Sequence, residues 1–121
     1  VDYNACVDQA KKEINSGFKP PLKSIQTKVE SYDIIIIGSP NWWSTIAPPV
    51  ATFLTSYNFD GKTIVPFMTH EGGRMGHSEA DIKKLCPKST LLKALPIHGN
   101  YVRRANDDIA NWLREIKLIK E

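Results

Sequence analysis

The run of four isoleucines from Ile34 to Ile37 constrains the fold of this chain more than any other feature. Polar residues do not alternate with the apolar ones here, and this is typical of a strand buried on both faces of a parallel sheet. Gly38 ends the run. The pair Pro48-Pro49 suits a helix start, because proline lacks an amide that the first helical turn would leave unpaired. The stretch therefore predicts a buried strand, a loop and a helix.

The predicted loop carries an unusual mixture of residues. Two adjacent tryptophans, Trp42 and Trp43, stand among the small hydrogen-bonding residues Asn41, Ser44 and Thr45. In open α/β sheets, ligands bind outside the carboxyl ends of the strands, where this loop would lie. The loop is therefore a candidate ligand site. The alternative is structural, with one indole in the core and the other covering it.

Length and charge limit the classes of function. With 121 residues, we expect one domain spanning 1–121. No apolar run approaches the roughly 20 residues that cross a bilayer, and no basic segment precedes an apolar one at the N-terminus. The net charge of +3 comes from scattered lysines and arginines. We therefore expect a soluble, cytoplasmic protein without a nucleic-acid or membrane partner.

Neither the cysteines nor the serines stand in the spacing of a reactive site. Cys6 and Cys86 lie far apart without a C-x-x-C spacing, which favours reduced thiols over a disulfide. No His, Cys or carboxylate pair has the spacing of a metal site, and no serine has the Gly-x-Ser-x-Gly setting of a hydrolase nucleophile. The residues therefore predict neither a metal site nor a catalytic side chain.

The remaining elements alternate between the periods of helix and strand. The patterns predict helices over 1–16, ended by Gly17, over 48–57, from a Ser78 cap to Pro87, and from Asn106 onward, with further strands over 62–68 and 91–97. Pro66 counts against the second strand, because proline removes a ladder hydrogen bond. This alternation predicts the α/β class, as a three-layer sandwich with a parallel sheet.

The glycine-rich stretch from Thr69 to Gly76 follows the second predicted strand. Gly72 and Gly73 permit the backbone to approach a planar ligand closely, which a Cβ would obstruct. A flexible surface loop is the alternative interpretation.

Several long segments resemble flavodoxins and flavodoxin-like proteins. They are residues 32–54, 57–67, 69–76, 81–87 and 108–113. The resemblance implies a parallel sheet that in this family has five strands in the order 2-1-3-4-5, with flavin mononucleotide (FMN) at its carboxyl edge. The family begins with a strand, a Ser/Thr-rich phosphate loop and a helix, and nothing in this sequence matches them. We therefore expect a chain truncated at the N-terminus, whose missing first strand would lie beside Ile34–Ile37 and whose missing loop would weaken FMN binding.

The resemblance also implies the cofactor-binding residues. One side of the flavin ring would be lined by Ser39, Pro40, Asn41, Trp42, Trp43, Ser44, Thr45 and Ala47, and the other by Thr69, His70, Glu71, Gly72 and Gly73. The ring face is assigned to Trp43 or, failing that, Trp42. His70 lies where a side chain can influence the pyrimidine edge of the flavin, and a solvated histidine is the alternative.

Two kinds of function follow from the resemblance. The first is FMN-dependent electron transfer or oxidoreduction, either as a carrier for a redox partner protein or as an NAD(P)H oxidoreductase of the quinone reductase type, with a small electron acceptor. The second is a fragment without a full FMN site that acts through protein association, including a homodimer through the exposed first strand.

Overall fold

The fold is known from a computed structural model that describes residues 2–25 and 28–120. Its helices and strands, in chain order, are α1 (Tyr3–Ser16), β1 (Ile34–Pro40), α2 (Pro48–Ser56), β2 (Thr63–His70), α3 (Ser78–Leu85), β3 (Thr90–Leu91), β4 (Leu95–His98) and α4 (Asn106–Glu115). Short 3-10 helices span Val29–Ser31 and Gly99–Arg104. All strand pairs are parallel. The predicted three-layer α/β sandwich with a parallel sheet is confirmed.

Strand β2 is the centre of the sheet. It pairs with β1 along one edge, in a register from Ile34 opposite Thr63 to Pro40 opposite Thr69. Its other edge pairs first with β3 and then with β4. Because all strands run in one direction, their carboxyl ends meet at one edge of the sheet.

One face of the sheet carries the main core. Ile64 and Met68 of β2 are almost fully buried, together with Leu54 of α2 and Ile82 of α3. Ile35 and Ile37 of β1 pack against the same cluster. The core is therefore assembled between this face of β1 and β2 and the helices α2 and α3.

The prediction that β1 is buried on both faces is wrong. Ile34 and Ile36 are 47% and 54% exposed, whereas Ile35 and Ile37 are half-buried. Within the described residues, β1 pairs only with β2, so it is an edge strand, and the face that bears Ile34 and Ile36 remains open to solvent. The isoleucine run identified the strand correctly, and its edge position agrees with the expected loss of a neighbouring strand, but one of its faces is exposed.

The third predicted strand, over 91–97, is two short strands instead. The break between β3 and β4 coincides with Pro66 of β2. The carbonyls of Lys62 and Ile64 accept from the amides of Thr90 and Leu92. Every second residue of a strand directs its backbone groups to the same side, so those of Pro66 also face β3 and β4. Since the neighbouring strand is interrupted opposite Pro66, its missing amide breaks no ladder bond.

The helix caps agree with the prediction at the end of α1 and differ from it at the start of α3. Gly17 ends α1 in the left-handed conformation, with φ of 69°, as the sequence indicates. Ser78, however, does not cap α3, because the N-cap is His77 and Ser78 is the first helical residue. The Ser78 hydroxyl is buried and has no hydrogen-bond partner within the described residues.

Helix α1 lies on the surface. None of its residues is buried, and Tyr3, on the face predicted to pack, is 78% exposed. Val7 and Ile14 of the same face are half-buried. The free thiol of Cys6 is exposed on this helix, while that of Cys86 is buried after α3.

Candidate functional site

The two candidate loops lie side by side at the carboxyl edge of the sheet. Pro40 and Thr69 are the last paired residues of β1 and β2, and the amide of Asn41 donates to the carbonyl of Thr69 at 2.8 Å. Ser39, Pro40, Thr69 and His70, which the sequence placed in loops, are strand residues. The strands therefore carry the start of each loop and fix the distance between them.

Residues Trp42–Thr45 form a tight reversal that we call the indole turn. The amide of Trp42 donates to the carbonyl of Thr45 at 2.9 Å, and the amide of Thr45 donates back at 3.2 Å. Trp43 and Ser44 have positive φ angles of 53° and 69°. Two such residues at the centre of a turn are typical of type I′, which normally takes Asn or Gly there. Each non-glycine residue in this conformation costs about 1–3 kcal/mol.

Hydrogen bonds on both sides hold the indole turn in this strained form. The Oδ1 atom of Asn41 accepts from the amide of Ser44 at 2.9 Å, and its Nδ2 donates to the carbonyl of Arg74 at 2.9 Å. The amide of His77 donates to the carbonyl of Ser44 at 2.7 Å. Gly76, with φ of 53°, lies so close to Ser44 that a Cβ would collide with its backbone. Asn41 thus joins the two candidate loops directly.

The candidate residues of the first loop divide into exposed and buried groups. The indoles of Trp42 and Trp43 are 36% and 44% exposed. The buried group consists of Ser39, Thr45 and Ala47. Their polar groups form hydrogen bonds within the protein. The Ser39 hydroxyl accepts from the Ala47 amide at 2.9 Å and donates to the Pro40 carbonyl at 2.8 Å. The buried residues shape the loop, and the indoles form its surface.

A carboxylate of α3 is hydrogen-bonded to the indole turn. The Oδ2 atom of Asp81 accepts a short hydrogen bond from the Thr45 hydroxyl. The same oxygen lies 2.7 Å from Nδ1 of His77. A network of hydroxyl, carboxylate and imidazole therefore joins the indole turn to α3. The sequence did not indicate it, because Asp81 lies 36 residues from Thr45 and 4 from His77.

Trp43 also contacts α1. Its indole nitrogen donates to the carbonyl of Val7 at 2.9 Å, and the ammonium of Lys11 lies 4.9 Å from the ring centroid. On this side, Trp43 borders a cleft of about 540 Å³ that also contains Ile14 and Phe18. No residue of the second candidate loop lines that cleft. Neither indole is buried in the core. The alternative interpretation, in which one indole lies in the core and the other covers it, is therefore wrong.

Residues Glu71–Arg74 form the second loop, which we call the diglycine loop. Gly72 has φ of 132°, a conformation that side-chain-bearing residues rarely adopt, and no atom lies within 4 Å of the position of its absent Cβ. The absent Cβ of Gly73 would lie 3.1 Å from Nδ2 of Asn41. The loop is therefore in contact with the first loop at Gly73 and open at Gly72.

His70 stands at the base of the diglycine loop with an altered titration. Its Nδ1 accepts from the amide of Gly72 at 2.9 Å. Partial burial lowers the pKa of His70 below its usual value, and the nearby charges of His98 and Arg74 lower it further against the opposing carboxylate of Glu71. The imidazole therefore favours its neutral form.

His98, which from the sequence has only a structural or surface role, also lies at this edge. It ends β4 directly opposite His70, and the two ring centroids are 5.3 Å apart. A usable signal was present in the sequence, because each histidine ends an apolar strand of the same parallel sheet.

Within residues 2–25 and 28–120, no three His, Cys, Asp or Glu side chains gather as they would around a metal ion. No helix in the described part of the chain is long and apolar enough to span a bilayer.

Comparisons with known proteins identify the family of this chain. The sequence profile of the family described as Flavodoxin matches residues 2–116. Among solved structures, the chain is similar to a protein assigned as a flavoprotein from Bacteroides eggerthii, with 30% identity and a TM-score of 0.77 over 96% of this chain and 71% of that one. A second such protein, from Bacteroides uniformis, has 25% identity and a TM-score of 0.74 over 90% of this chain and 70% of that one.

A third similar structure is a flavoprotein in complex with FMN from Lactobacillus acidophilus. It has 21% identity and a TM-score of 0.68 over 92% of this chain and 70% of that one, which shows a shared fold. No curated protein matches the sequence. Because the family profile extends over almost the whole sequence, the chain belongs to the flavodoxin family.

Proposed function

We propose that this chain binds FMN on the indole turn and the diglycine loop, and that it acts in electron transfer or oxidoreduction. The observation that carries the proposal is the position of the two loops, side by side at the carboxyl edge of β1 and β2 with both indoles exposed. Membership of the flavodoxin family and the FMN complex of the Lactobacillus acidophilus protein support the choice of cofactor.

The residues at this edge fit the flavin ring. Isoalloxazine is planar and largely apolar with a hydrogen-bonding rim, so its site needs a flat apolar surface beside backbone polar groups. Trp42 and Trp43 supply the surface, and the space beside Gly72 is free of side-chain atoms. When bound, FMN supplies the electron-accepting and electron-donating chemistry.

The side chains of this chain orient and shield the ring. The hydrogen bond to Val7 fixes the plane of the Trp43 indole, and Asn41 holds the two loops together. The neutral imidazole of His70 adds no positive charge beside the ring. The proposed role of these groups is to bind, to exclude water and to set the electrostatics, and none acts as an acid or base.

The charge of the chain favours a reductase over a carrier. Carrier proteins of this family tend to be acidic, since opposite charge guides encounter with a redox partner. This chain has a net charge of +3. We therefore propose a small electron acceptor such as a quinone as the substrate, with a redox partner protein as the alternative.

Adding FMN to the purified protein tests the cofactor. Binding shifts the visible absorbance of the flavin and quenches its fluorescence, and we expect a saturable change of both. Tyr32→Ala is the control for variants of the indole turn, because Tyr32 is an exposed aromatic residue that precedes β1, near the end of the strand opposite the turn. A flavin spectrum that does not respond to the protein would overturn the proposal.

Turnover of a quinone with NADH or NADPH alone would then separate the reductase from the carrier, because a carrier needs a partner protein.

Association through β1 is a second candidate function. The observation that favours it is the open edge of β1 with exposed Ile34 and Ile36, since such an edge is a template for pairing with another strand. We propose a second copy of the chain as the occupant, because two identical edges can pair about a two-fold axis.

Sedimentation velocity tests this association. We expect a dimer that Ile36→Lys converts to a monomer, while Ile119→Lys, at an exposed site on the tail after α4, leaves it unchanged. A wild-type monomer at all concentrations contradicts the dimer.

The free thiols of Cys6 and Cys86 fit the cytoplasm as the proposed compartment, because thiols stay reduced there.

A further inference from the structure

Two histidines form a pair across adjacent strands. His70 ends β2 and His98 ends β4, and the two are direct partners in the parallel register. Their rings meet edge to face, with centroids 5.3 Å apart and an interplanar angle of 81°. Both are half-buried, and both lie at the edge where ligands bind in α/β sheets.

The backbone fixes the same tautomer in both rings. The amide of Gly72 donates to Nδ1 of His70 at 2.9 Å, and the amide of Asn100 donates to Nδ1 of His98 at 3.2 Å. A nitrogen that accepts a hydrogen bond carries no proton, so each neutral ring carries its proton on Nε2. The pair therefore holds two N–H donors and has no free acceptor nitrogen.

This tautomer suits an anion better than a metal ion. A histidine that ligates a metal usually donates its other ring N–H to a second group, which fixes the lone pair on the ligating nitrogen. His70 and His98 show the opposite arrangement, because their second nitrogens accept from the backbone. Their Nε2 atoms are thus left as donors to oxygen.

Tyr101 lies next to the pair, and Arg104 lies next to Tyr101. The Tyr101 ring is 5.8 Å from that of His98 and is 56% exposed, and the guanidinium of Arg104 lies 5.5 Å from the Tyr101 centroid. Within the described residues, Arg104 has no ion-pair partner, since the ion pairs there are His77–Asp81 and Lys93–Glu115. The carboxylate of Glu71 also lies close to His70, with its side chain against Gly99.

We propose that His70, His98, Tyr101 and Arg104 form a binding site for a small oxyanion, a phosphate or carboxylate group. Imidazole and phenol donors would meet its oxygens, and Arg104 would balance its charge. The site extends the carboxyl edge toward β4 and does not require bound flavin. It can therefore be tested on flavin-free protein, and its failure is separate from a failure of FMN binding.

The chain contains only three histidines, so imidazole NMR gives a direct test. At about pH 7.5, where an ordinary imidazole is neutral, 15N shifts should show Nδ1 unprotonated in both His70 and His98. Titration with inorganic phosphate or with benzoate, at constant ionic strength, should shift both signals saturably. The anion that saturates the shift at the lower concentration shows whether the site prefers a phosphate or a carboxylate. His77, which lies on α3 and pairs with Asp81, is the internal control and should not shift.

A matched pair of arginine variants tests the charge. Arg104→Gln should weaken anion binding by about tenfold, the loss expected for one charge-assisted hydrogen bond. Arg114→Gln, at an exposed residue of α4, should have no effect. An unshifted His77 signal shows that each variant is folded. The proposal is overturned if neither anion gives a saturable shift, if His77 shifts equally, if the Nδ1 atoms are protonated, or if both arginine variants behave alike.

Discussion

The indole nitrogen of Trp43 donates to the backbone carbonyl of Val7, 36 residues away and 2.9 Å distant. With the Lys11 ammonium near the same ring, this bond joins the surface helix α1 to the indole turn. Helix α1 has no buried residue of its own, and these contacts with Trp43 help to hold it in place. A residue predicted from the sequence to contact the flavin thus also has a structural partner.

Replacing Trp43 with alanine should weaken FMN binding. The loss of a large apolar contact surface costs about 1–3 kcal/mol, which corresponds to roughly 5- to 150-fold in the dissociation constant. Fluorescence titration with FMN measures it. Trp43→Phe separates the two roles of the side chain, because it keeps a flat ring and loses the bond to Val7. We expect Trp43→Phe to retain most of the affinity but to speed amide hydrogen exchange in α1. An unchanged dissociation constant in Trp43→Ala would show that the ring binds elsewhere.

Gly76→Ala should destabilise the protein more than Gly17→Ala. Both glycines have positive φ, 53° and 69°, so both substitutions incur similar backbone strain, about 1 kcal/mol. Only at Gly76 would the new Cβ collide with the backbone of Ser44, while no atom lies within 4 Å at Gly17. Urea unfolding measures the difference, and equal losses from the two variants would contradict the close approach of Gly76 to the indole turn.

Asn41→Ala should loosen both candidate loops together. The substitution removes the side-chain hydrogen bonds to the Ser44 amide and the Arg74 carbonyl, for a loss of about 1–3 kcal/mol in the free energy of unfolding. FMN affinity should fall in the same variant, because the two loops lose their connection. Asn111→Ala is the control, since Asn111 is exposed on α4 and bonds only a nearby arginine among the described contacts. If the control lost as much stability, the bridging role of Asn41 would be refuted.

His70 should titrate below the usual imidazole range. Partial burial, His98 and Arg74 lower its pKa, so His98→Ala should raise the pKa of His70, and His77→Ala should leave it unchanged. A lowered pKa in the folded state means that folding disfavours the charged ring. Stability from this group is therefore present above the unfolded-state pKa of about 6.5 and is lost as the pH falls below it. NMR titration of the ring protons measures the pKa, and a value in His98→Ala at or below that of the wild type would contradict the coupling.

Much of the fold follows from local patterns in the sequence. The isoleucine run, the proline pair that begins α2 and the left-handed glycine after α1 each reflect the conformational preference of a few neighbouring residues. The two loops of the candidate site follow in turn, because strands that run in one direction place their carboxyl ends at one edge. The sequence therefore determined the α/β class, the order of the elements and the edge where the candidate residues meet.

Only the tertiary structure decided what depends on distant contacts. The exposure of Ile34 and Ile36 reflects which strands neighbour β1, and the pairing of His70 with His98 reflects the register between β2 and β4. The strained conformation of Trp43 persists because residues far along the chain hold its turn. Periodicity reports whether a residue prefers helix or strand, but the partner of each side chain is set by packing across the sheet, which no local pattern encodes.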